Sequence, residues 1–478
     1  MPVPYALSPY AIAITHSTGS MFDVTSECLR LSYSRTLADP FTQLRADEGV
    51  FEFANDAGTF SPTVNSAIAV GNLISLQYIN VFSGNAVLNA YSGRIKSITM
   101  NPRLGQRTTV LEALTDVDRL SRTFVDTPLL SNLPVSSLFS EVMSRTTVAS
   151  YTSDLILDMV DFAWFDNRNV VGILNQIVRS GYYTLHVDGA GTVRLRSRYY
   201  ESLAAAVGSV SVMQELNYAV TGEAIINKIT ARALPIKQST DLATVAFLPQ
   251  TVPIPASGHT GFWVSFLDPR NLEATPVGSI EALVSGTDYY ASANADGTGA
   301  DYTSTLSINM GVFGASAVAS IFNGQGNDAW LRFQIRGYPI LRGAPLSVRH
   351  ESTSSQNLYG LYEASFDDLM IKNYDFLKDL TQAIIGDRSV PRRNLSMSLI
   401  NEQPLIWHVD VGDLLAVTNE FSQITGSWSV RALHHDLSLG RGEEHRVTLE
   451  LREPANNNWL ILDHNPYGEM DAARVLAP

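Results

Sequence analysis

One stretch of the chain, residues 164–198, changes its hydrophobic period once, and this change constrains the fold more than any other feature. The first half has apolar residues at helical spacing, namely Val170, Val171, Ile173, Leu174, Ile177 and Val178. The second half alternates with a period of two around a Gly-rich turn at 188–191, with Leu185 and Val187 before the turn and Val193 and Leu195 after it. The sequence therefore predicts a helix that leads into a β-hairpin, a small α+β unit.

The ends of the predicted helices carry residues that commonly cap them. Asp166 or Asn167 precedes the helix of this unit and can accept hydrogen bonds from its first N–H groups. Gly181 follows it, where a left-handed residue often ends a helix. A later helix is predicted to start with a capping box formed by Ser365 and Asp368.

The composition excludes several classes of protein. The chain has 478 residues, enough for about three domains, and no window approaches the roughly 18 to 20 unbroken apolar residues of a membrane helix. The first residues lack the basic segment of a secretory signal. Because Cys28 is the only cysteine, no intrachain disulfide or cysteine metal cluster can form, which fits assembly in a reducing cytoplasm. The 33 Lys and Arg against 47 Asp and Glu give a net charge of −14, which argues against tight, sequence-independent binding of nucleic acid.

Strand-like segments with turn residues between them dominate the first part of the chain outside this unit. A strand-rich block covers 20–116, and within it residues 51–62, FEFANDAGTFSP, form a strand that runs into an Asn-Asp-Ala-Gly turn. The block closes with Leu114-Thr115-Asp116. An additional helix is predicted near 134–145.

The second half of the chain contains an interrupted strand-rich block. Residues 223–232, EAIINKITAR, form a strand with Asn227 between apolar residues, and four prolines between 235 and 255 predict a stiff linker. The Gly- and Ser-rich stretch 256–345 suits a small β-sandwich. Strands then resume, and the last one, 445–452, alternates regularly between apolar and polar residues.

Several of these segments resemble the tail hub proteins of long-tailed bacteriophages, also called baseplate hub or minor tail proteins. The segments that carry the resemblance are 51–62, Leu114-Thr115-Asp116, the hairpin at 188–198 with its D-G-x-G turn and R-x-R ending, QIRGYP at 334–339 and LYGLY at 358–362. The segments are spread along the sequence, so the resemblance extends over most of the chain. The sequence is therefore identified as similar to this family.

The resemblance implies a mainly β fold with two tube-type (split, tudor-like) β-barrels, a small α+β domain and an inserted β-sandwich. The implied domains are an N-terminal arm (1–19), a first barrel (20–116), the α+β domain (117–204), a second barrel with a helix (205–255 and 346–453), the inserted sandwich-like domain (256–345) and a C-terminal arm (454–478).

The resemblance also implies a function without catalysis. The expected role is a structural hub of the phage tail tip, a trimeric ring that adapts the six-fold tail tube to a three-fold tip and lines the DNA channel. The expected partners are two further copies of the chain, the distal tail protein ring, other tail-tip and fibre proteins, the tape measure protein, and phage DNA in transit only. The expected location is the virion tail tip, after assembly in the host cytoplasm. No enzyme activity, cofactor or membrane segment is expected.

The sequence has no strong signature of catalysis or metal binding, since it lacks HExxH, G-x-S-x-G and any Gly-Lys dipeptide. The most suggestive cluster surrounds one predicted hairpin and consists of His434, His435, Asp436, Glu443, Glu444 and His445. Adjacent strand residues point to opposite faces, so at most one of His434 and His435 can join a metal site. Cross-strand surface pairing is the expected arrangement.

Two pairs of neighbouring carboxylates, Asp116 with Asp118 and Asp367 with Asp368, are weak candidates for a glycosidase dyad. Proximity in sequence does not set the distance between carboxyl groups, and the second pair is better explained as charges on the first turn of a helix. No catalytic, cofactor-binding or metal-binding residue is therefore predicted.

The hairpin carries a small basic face formed by Arg194, Arg196 and Arg198, which alternate with apolar residues. This face is able to contact DNA, but an acidic neighbouring subunit is the favoured partner.

Two alternative functions remain open. One is a receptor- or glycan-binding tail adhesin, for which the inserted domain supplies aromatic residues, Phe262, Trp263, Tyr289, Tyr290 and Trp330. The other is a tail-associated wall-degrading enzyme. The chain ends about 25 residues after Arg452, and this brevity favours the hub.

Overall fold

The computed structural model describes residues 10–80, 86–103, 106–222, 224–367, 369–400, 405–439 and 444–454. The described residues of the first part form strands, apart from a 3₁₀ turn at Thr25–Glu27. Its strands are β1 (Tyr10–Thr15), β2 (Met21–Asp23), β3 (Cys28–Thr36), β4 (Glu48–Ala54), β5 (Leu73–Asn80), β6 (Ala86–Arg103) and β7 (Gln106–Leu114).

The second part mixes helices and short strands. Its elements are α1 (Val117–Leu120), β8 (Phe124–Val125), β9 (Leu130–Pro134), α2 (Val135–Ser144), β10 (Tyr151–Ser153), β11 (Met159–Ala163), β12 (Arg168–Asn169), α3 (Val170–Gly181), β13 (Thr184–Val187), β14 (Val193–Arg196) and α4 (Tyr200–Leu203).

The third part returns to strands. They are β15 (Ala206–Val210), β16 (Glu215–Thr221), β17 (Lys228–Ala233), β18 (Ile236–Gln238), β19 (Ala243–Phe247), β20 (Val252–Ile254), β21 (His259–Ser265), β22 (Val277–Ile280), β23 (Tyr289–Ser292), β24 (Leu306–Val312), β25 (Ser316–Asn323), β26 (Ala329–Arg342) and β27 (Leu346–Glu351).

The last part has one long helix, α6, together with shorter helices and strands. Its elements are α5 (Thr353–Tyr359), β28 (Glu363–Phe366), α6 (Tyr374–Arg388), β29 (Arg392–Ile400), α7 (Leu405–His408), β30 (Leu414–Asn419), β31 (Ile424–Ser438) and β32 (Glu444–Arg452). None of the helices in the described segments is long and apolar enough to cross a bilayer.

The largest element of the fold is a 13-stranded sheet built from both ends of the chain. Its main path runs β16-β29-β32-β31-β3-β4-β7-β6-β5-β1-β2, and β30 and β15 branch from β31. The two ends meet where β3 pairs antiparallel with β31, from Arg30 opposite Ser438 to Thr36 opposite Ala432. One continuous hydrophobic core packs against both halves of this large sheet.

The mainly β class with α+β parts is confirmed, whereas the closure of two separate barrels is not observed among the described strands. The large sheet follows an open order with free ends at β2 and β16. Strand β31 explains why the sheet stays open. Its first half pairs with β30, and its second half pairs along the same edge with β3. Because β3 occupies this edge, β31 joins the N-terminal and C-terminal halves of the large sheet and does not close the C-terminal half into a barrel.

Two segments assigned from sequence to other regions belong to sheets. Residues 10–15 of the expected N-terminal arm form β1, which pairs with β5 and β2 inside the large sheet. The strand expected over 223–232 in the second barrel begins at Lys228 and lies in a separate sheet, β27-β17-β28. Both edges of β17 are taken by β27 and β28, so it has no free edge for the large sheet. Residue 223 lies outside the described residues.

The inserted part consists of two sheets that enclose a core of their own. One is organised along the 14-residue strand β26, which pairs with β18, β19, β20, β22 and β23. The other has the order β21-β25-β24. Strands β18 to β20 fall between 236 and 254, so the stretch predicted to be a stiff linker contributes strands to this unit.

The predicted helix–hairpin unit is present as α3, β13 and β14, but its caps differ from those expected. The side chain of Asn169, not Asp166 or Asn167, accepts a hydrogen bond from the N–H of Gly172 at 3.1 Å. The left-handed residue is Tyr182, with φ of 60°. Its backbone N–H donates to the Val178 carbonyl, and its hydroxyl donates to the Asp387 carboxylate at 2.6 Å.

Gly181 is needed for a different reason, which is the close packing of the Tyr183 ring. A Cβ added to Gly181 would lie 1.9 Å from Cζ of Tyr183, which is 1% exposed. Glycine is therefore required by contact and not by a positive φ.

The second predicted helix begins later than expected. Ser365 lies in β28, and α6 starts at Tyr374, with the Asn373 side chain accepting from the N–H of Asp375 at 2.9 Å. Asp368 of the expected capping box lies outside the described residues.

Two glycines of α3 provide a matched test of this packing. We expect Gly181→Ala to lower the free energy of unfolding by about 1–3 kcal/mol, because the new methyl group forces the buried ring aside. Gly172→Ala should raise it by up to about 1 kcal/mol, because that position is exposed, helical and free of close contacts. Calorimetric unfolding of both variants checks this, and a neutral Gly181→Ala would contradict the ring contact.

Candidate functional site

The large sheet presents an outer face, defined by the side chains of its central strands that alternate with core residues. These side chains are exposed or half-buried, and strand register places them on one surface. The outer face consists of Arg30, Ser32, Ser34, Val50, Glu52, Val110, Glu112, His434, Asp436, Arg446, Thr448 and Glu450.

The outer face has four carboxylates and two arginines, and both arginines are paired. Arg30 binds Asp436 with two hydrogen bonds of 3.0 and 2.6 Å, which lower the pKa of that carboxyl. Arg446 lies 3.5 Å from Glu444 at the edge of the face. Within the described residues, Glu52, Glu112 and Glu450 have no basic ion-pair partner. Apart from the half-buried Val50 and Val110, the surface is therefore polar and net acidic, and neither of its arginines is unpaired.

The edges of the large sheet are the second notable surface. Within the described residues, β2 pairs only with β1, and β16 pairs only with β29. Both edge strands expose apolar side chains, Met21 at 73% and Val220 at 55%. An edge strand with exposed apolar residues is a surface that a neighbouring chain can pair with or cover.

The basic face predicted on the hairpin is neutralised within the chain. Arg194 lies 2.6 Å from Asp188. Arg196 lies 3.5 Å from Asp413 and stacks 3.9 Å above the Tyr200 ring. Arg198 is buried and lies 3.8 Å from Asp158. The acidic partners seen for these arginines belong to the same chain, and the contact with an acidic neighbouring subunit stays a prediction.

The histidine cluster is divided by strand geometry, as adjacent strand residues require. His434 is exposed on the outer face, whereas His435 and His445 are buried on the opposite side of the sheet. His435 Nδ1 lies 3.0 Å from His445 Nε2, so the two form a cross-strand pair, in the core and not at the surface. Glu443 lies outside the described residues. No group of three metal-ligating side chains is found in the described part of the chain.

Aromatic stacking holds the buried histidine pair in place. Tyr33 stacks on His435 and Trp407 stacks on His445, each with ring centroids 4.4 Å apart. Burial lowers the pKa of His445 to about 4 and, together with the neighbouring His445, lowers the pKa of His435 well below its ordinary value. Both rings are therefore neutral at pH 7, and the pair is a structural element of the core.

The two carboxylate pairs considered from sequence are engaged by arginines. Asp116 lies 3.0 Å from Arg94, and Asp118 lies 3.1 Å from Arg122. Asp367 lies 3.4 Å from Arg232 and follows a strand, so the helical first-turn interpretation was wrong. Each described carboxylate has its own cationic partner, an arrangement that differs from a dyad across a cleft.

The aromatic residues of the inserted part have different environments. Phe262 packs edge-on against Phe333 beside the core. Trp263 is 64% exposed and lies 5.1 Å, between ring centroids, from Phe313, which is 40% exposed, with the two rings tilted by 32°. One exposed aromatic pair is thus present, and Phe313 is the member that sequence inspection missed.

A buried group of charged residues was not predicted from the sequence, because its members are far apart in sequence and follow no motif. We call it the arginine cluster, and it consists of Asp39, Glu201, Asp387, Arg388, Arg392, Arg431 and Arg452. It lies where the large sheet meets α4, α6 and the loop after β3. Arg388 lies 3.3 Å and Arg452 3.6 Å from Asp39. Although burial opposes it, these arginines and Arg431 hold the pKa of Asp39 below its ordinary value.

The histidine pair predicts a specific loss of stability in acid. Between pH 6.5 and about 4 the unfolded chain takes up protons that the buried rings do not, so stability falls as the pH is lowered through this range. We expect His435→Asn/His445→Asn to weaken this dependence in thermal unfolding measured from pH 7 to 4. His434→Asn, at the adjacent exposed position, is the control, and an unchanged slope in the double variant would refute the assignment.

Comparison with known proteins rests on the fold. No family model and no curated protein matches the sequence. A tail protein from Neisseria meningitidis has 9% identity and a TM-score of 0.51, with 93% of this chain and 96% of that chain covered. The 43 kDa tail protein of prophage MuSo2 from Shewanella oneidensis has 8% identity and a TM-score of 0.51, with 93% and 99% covered.

Both structural similarities extend over nearly the whole length of this chain and of the compared protein, and at such low sequence identity they show similarity of the fold alone. This similarity agrees with the fold expected from the resemblance of individual sequence segments. The chain therefore has the fold of these phage tail proteins.

Proposed function

We propose that the protein is a structural hub of a phage tail tip, in which three copies form a ring around a channel. The observation that carries this proposal is the open 13-stranded sheet, which ends at two strands with exposed apolar side chains. Such edges favour association with another chain.

The positions of the edges favour a closed ring. Strands β2 and β16 lie at opposite ends of the sheet order, so one end of a copy can meet the other end of the next copy. Contacts between two different surfaces generate a ring when the rotation closes. Because each chain supplies two halves of the sheet, three copies would present six half-sheets, which suits the junction between a six-fold tube and a three-fold tip.

The outer face suits a channel wall. DNA slides past a surface most easily when few basic groups hold its phosphates. On this face Arg30 is bound by Asp436, and Glu52 and Glu112 have no basic ion-pair partner among the described residues. We place the outer face toward the channel and the inserted strands around β26 away from it.

This role assigns partners and a location. The ring would contact the distal tail protein ring on one side and other tail-tip or fibre proteins on the other, with the tape measure protein and phage DNA in the channel. It would assemble in the host cytoplasm and reside in the virion. Its action would be passive, without catalysis or a cofactor.

One observation favours a second candidate function, a tail adhesin. The exposed Trp263 and Phe313 form an aromatic surface able to stack on a sugar ring. If this surface binds the receptor, Trp263→Ala should reduce phage adsorption and leave the number of assembled tails unchanged. If the protein acts only as a hub, adsorption should be unchanged as well.

The hub proposal predicts the number of chains in a tail tip and predicts that assembly depends on the edge strand β16. We expect native mass spectrometry of purified tail tips to give three copies of the chain, and Val220→Lys on β16 to prevent their assembly, because a buried lysine at the contact lacks a partner. Val64→Lys, at a 73% exposed valine outside the strands, is the control. A single copy in intact tail tips, or normal assembly of the Val220→Lys protein, would overturn the proposal.

A further inference from the structure

A small cavity lies inside the arginine cluster. Its volume is about 30 Å³, enough for one or two water-sized spheres. The lining includes four arginines, Arg198, Arg388, Arg431 and Arg452. It also includes three carboxylates, Asp39, Glu201 and Asp387. The lining thus has more positive than negative groups, and Arg392, bound to Asp387 beside it, adds another positive charge.

The carboxylates are already engaged by part of the arginine donors. Asp39 faces Arg388 and Arg452, and Glu201 binds Nη2 of Arg431. Asp387 is bound by Arg388 and Arg392 and accepts from the Tyr182 hydroxyl.

Four other N–H groups of the lining arginines have no acceptor among the described residues. Nε and Nη1 of Arg431, Nε of Arg452 and Nε of Arg198 are buried and have no hydrogen-bond partner within the described residues. The Arg198 side chain is 8% exposed. Buried N–H groups of a cation are rarely left without an acceptor.

The electrostatics around Arg452 indicate a shortage of negative charge, whereas, although burial opposes this, Tyr199 and Asp158 raise the pKa of Arg198. Burial, followed by Arg431 and Arg388, lowers the pKa of Arg452 to about 10. Burial and then Arg452 also lower the pKa of Arg392. Arg388 differs, because Tyr182 and Asp39 outweigh its burial and raise its pKa. The shortage of negative charge therefore concerns Arg392 and Arg452 of the sheet, because the nearby carboxylates of Asp39 and Asp387 are each shared with Arg388.

We infer that the cavity binds one small inorganic anion, chloride under cellular conditions, held by the free donors of Arg431, Arg452 and Arg198. The volume of about 30 Å³ suits an ion close to the size of a water molecule better than phosphate, sulfate or an organic acid, and a water molecule would fill the space without supplying the missing charge. The anion would connect β31 and β32 of the large sheet to the end of the hairpin, so it would stabilise the contact between the sheet and the α+β unit.

Thermal unfolding of the full chain at constant ionic strength tests this inference. Chloride is exchanged for gluconate, which is too large for the cavity. We expect the melting temperature to rise by about 1–2 °C for each tenfold increase in chloride above saturation, and bromide to replace chloride. Equal melting temperatures throughout the exchange series would overturn the inference.

Variants locate the effect. Arg431→Gln should abolish the difference between chloride and gluconate, whereas Arg30→Gln, at an exposed ion pair on the outer face, should retain it. An undiminished chloride effect in Arg431→Gln would refute the site.

A direct measurement covers the case in which Arg431→Gln does not fold. Crystals of the wild-type protein grown in bromide should show one anomalous peak between Arg431 and Arg452. A bromide-soaked crystal without a peak there would refute the site regardless of the variants.

Discussion

The antiparallel ladder between β3 and β31 is the interaction on which the rest of the structure depends. It joins residues about 400 positions apart, and the bidentate contact of Arg30 with Asp436 crosses it on the outer face. On the core side, the Tyr33 ring stacks on His435 across the same ladder. Without it, each half of the large sheet would expose a long unpaired strand, and the shared core would be divided.

The second organising contact is the arginine cluster, which attaches the α+β unit and α6 to the sheet. Buried charges are expensive to remove from water, so they stabilise a contact only when each finds its partner. Asp39, for example, faces both Arg388 of the helix and Arg452 of the sheet. Such a shared carboxylate tolerates few alternative arrangements, and it therefore fixes how the helix lies against the sheet.

Local patterns could be predicted from the sequence, whereas long-range pairing could not. The hairpin of β13 and β14 follows from a period of two around a Gly-rich turn, and α2 follows from its apolar spacing. The position of β17 did not follow, because its partners β27 and β28 lie more than 110 residues away and alternation does not name a partner. The left-handed Tyr182 was missed because glycine, not tyrosine, usually takes this conformation at the end of a helix. The arginine cluster was missed because no spacing in the sequence connects residues 39, 201, 388 and 452.

The β3–β31 ladder also has a consequence for the time at which the chain can fold. Strand β3 leaves the ribosome early, but β31 follows only after some 390 further residues, a delay of roughly 20 to 80 seconds at ordinary bacterial rates of synthesis. During this interval the local contacts of the helix–hairpin unit can form, while β3 must keep one edge unpaired. The first half of the sheet is therefore vulnerable to aggregation until translation is nearly complete, and chaperone binding to the nascent chain would be most useful in this interval.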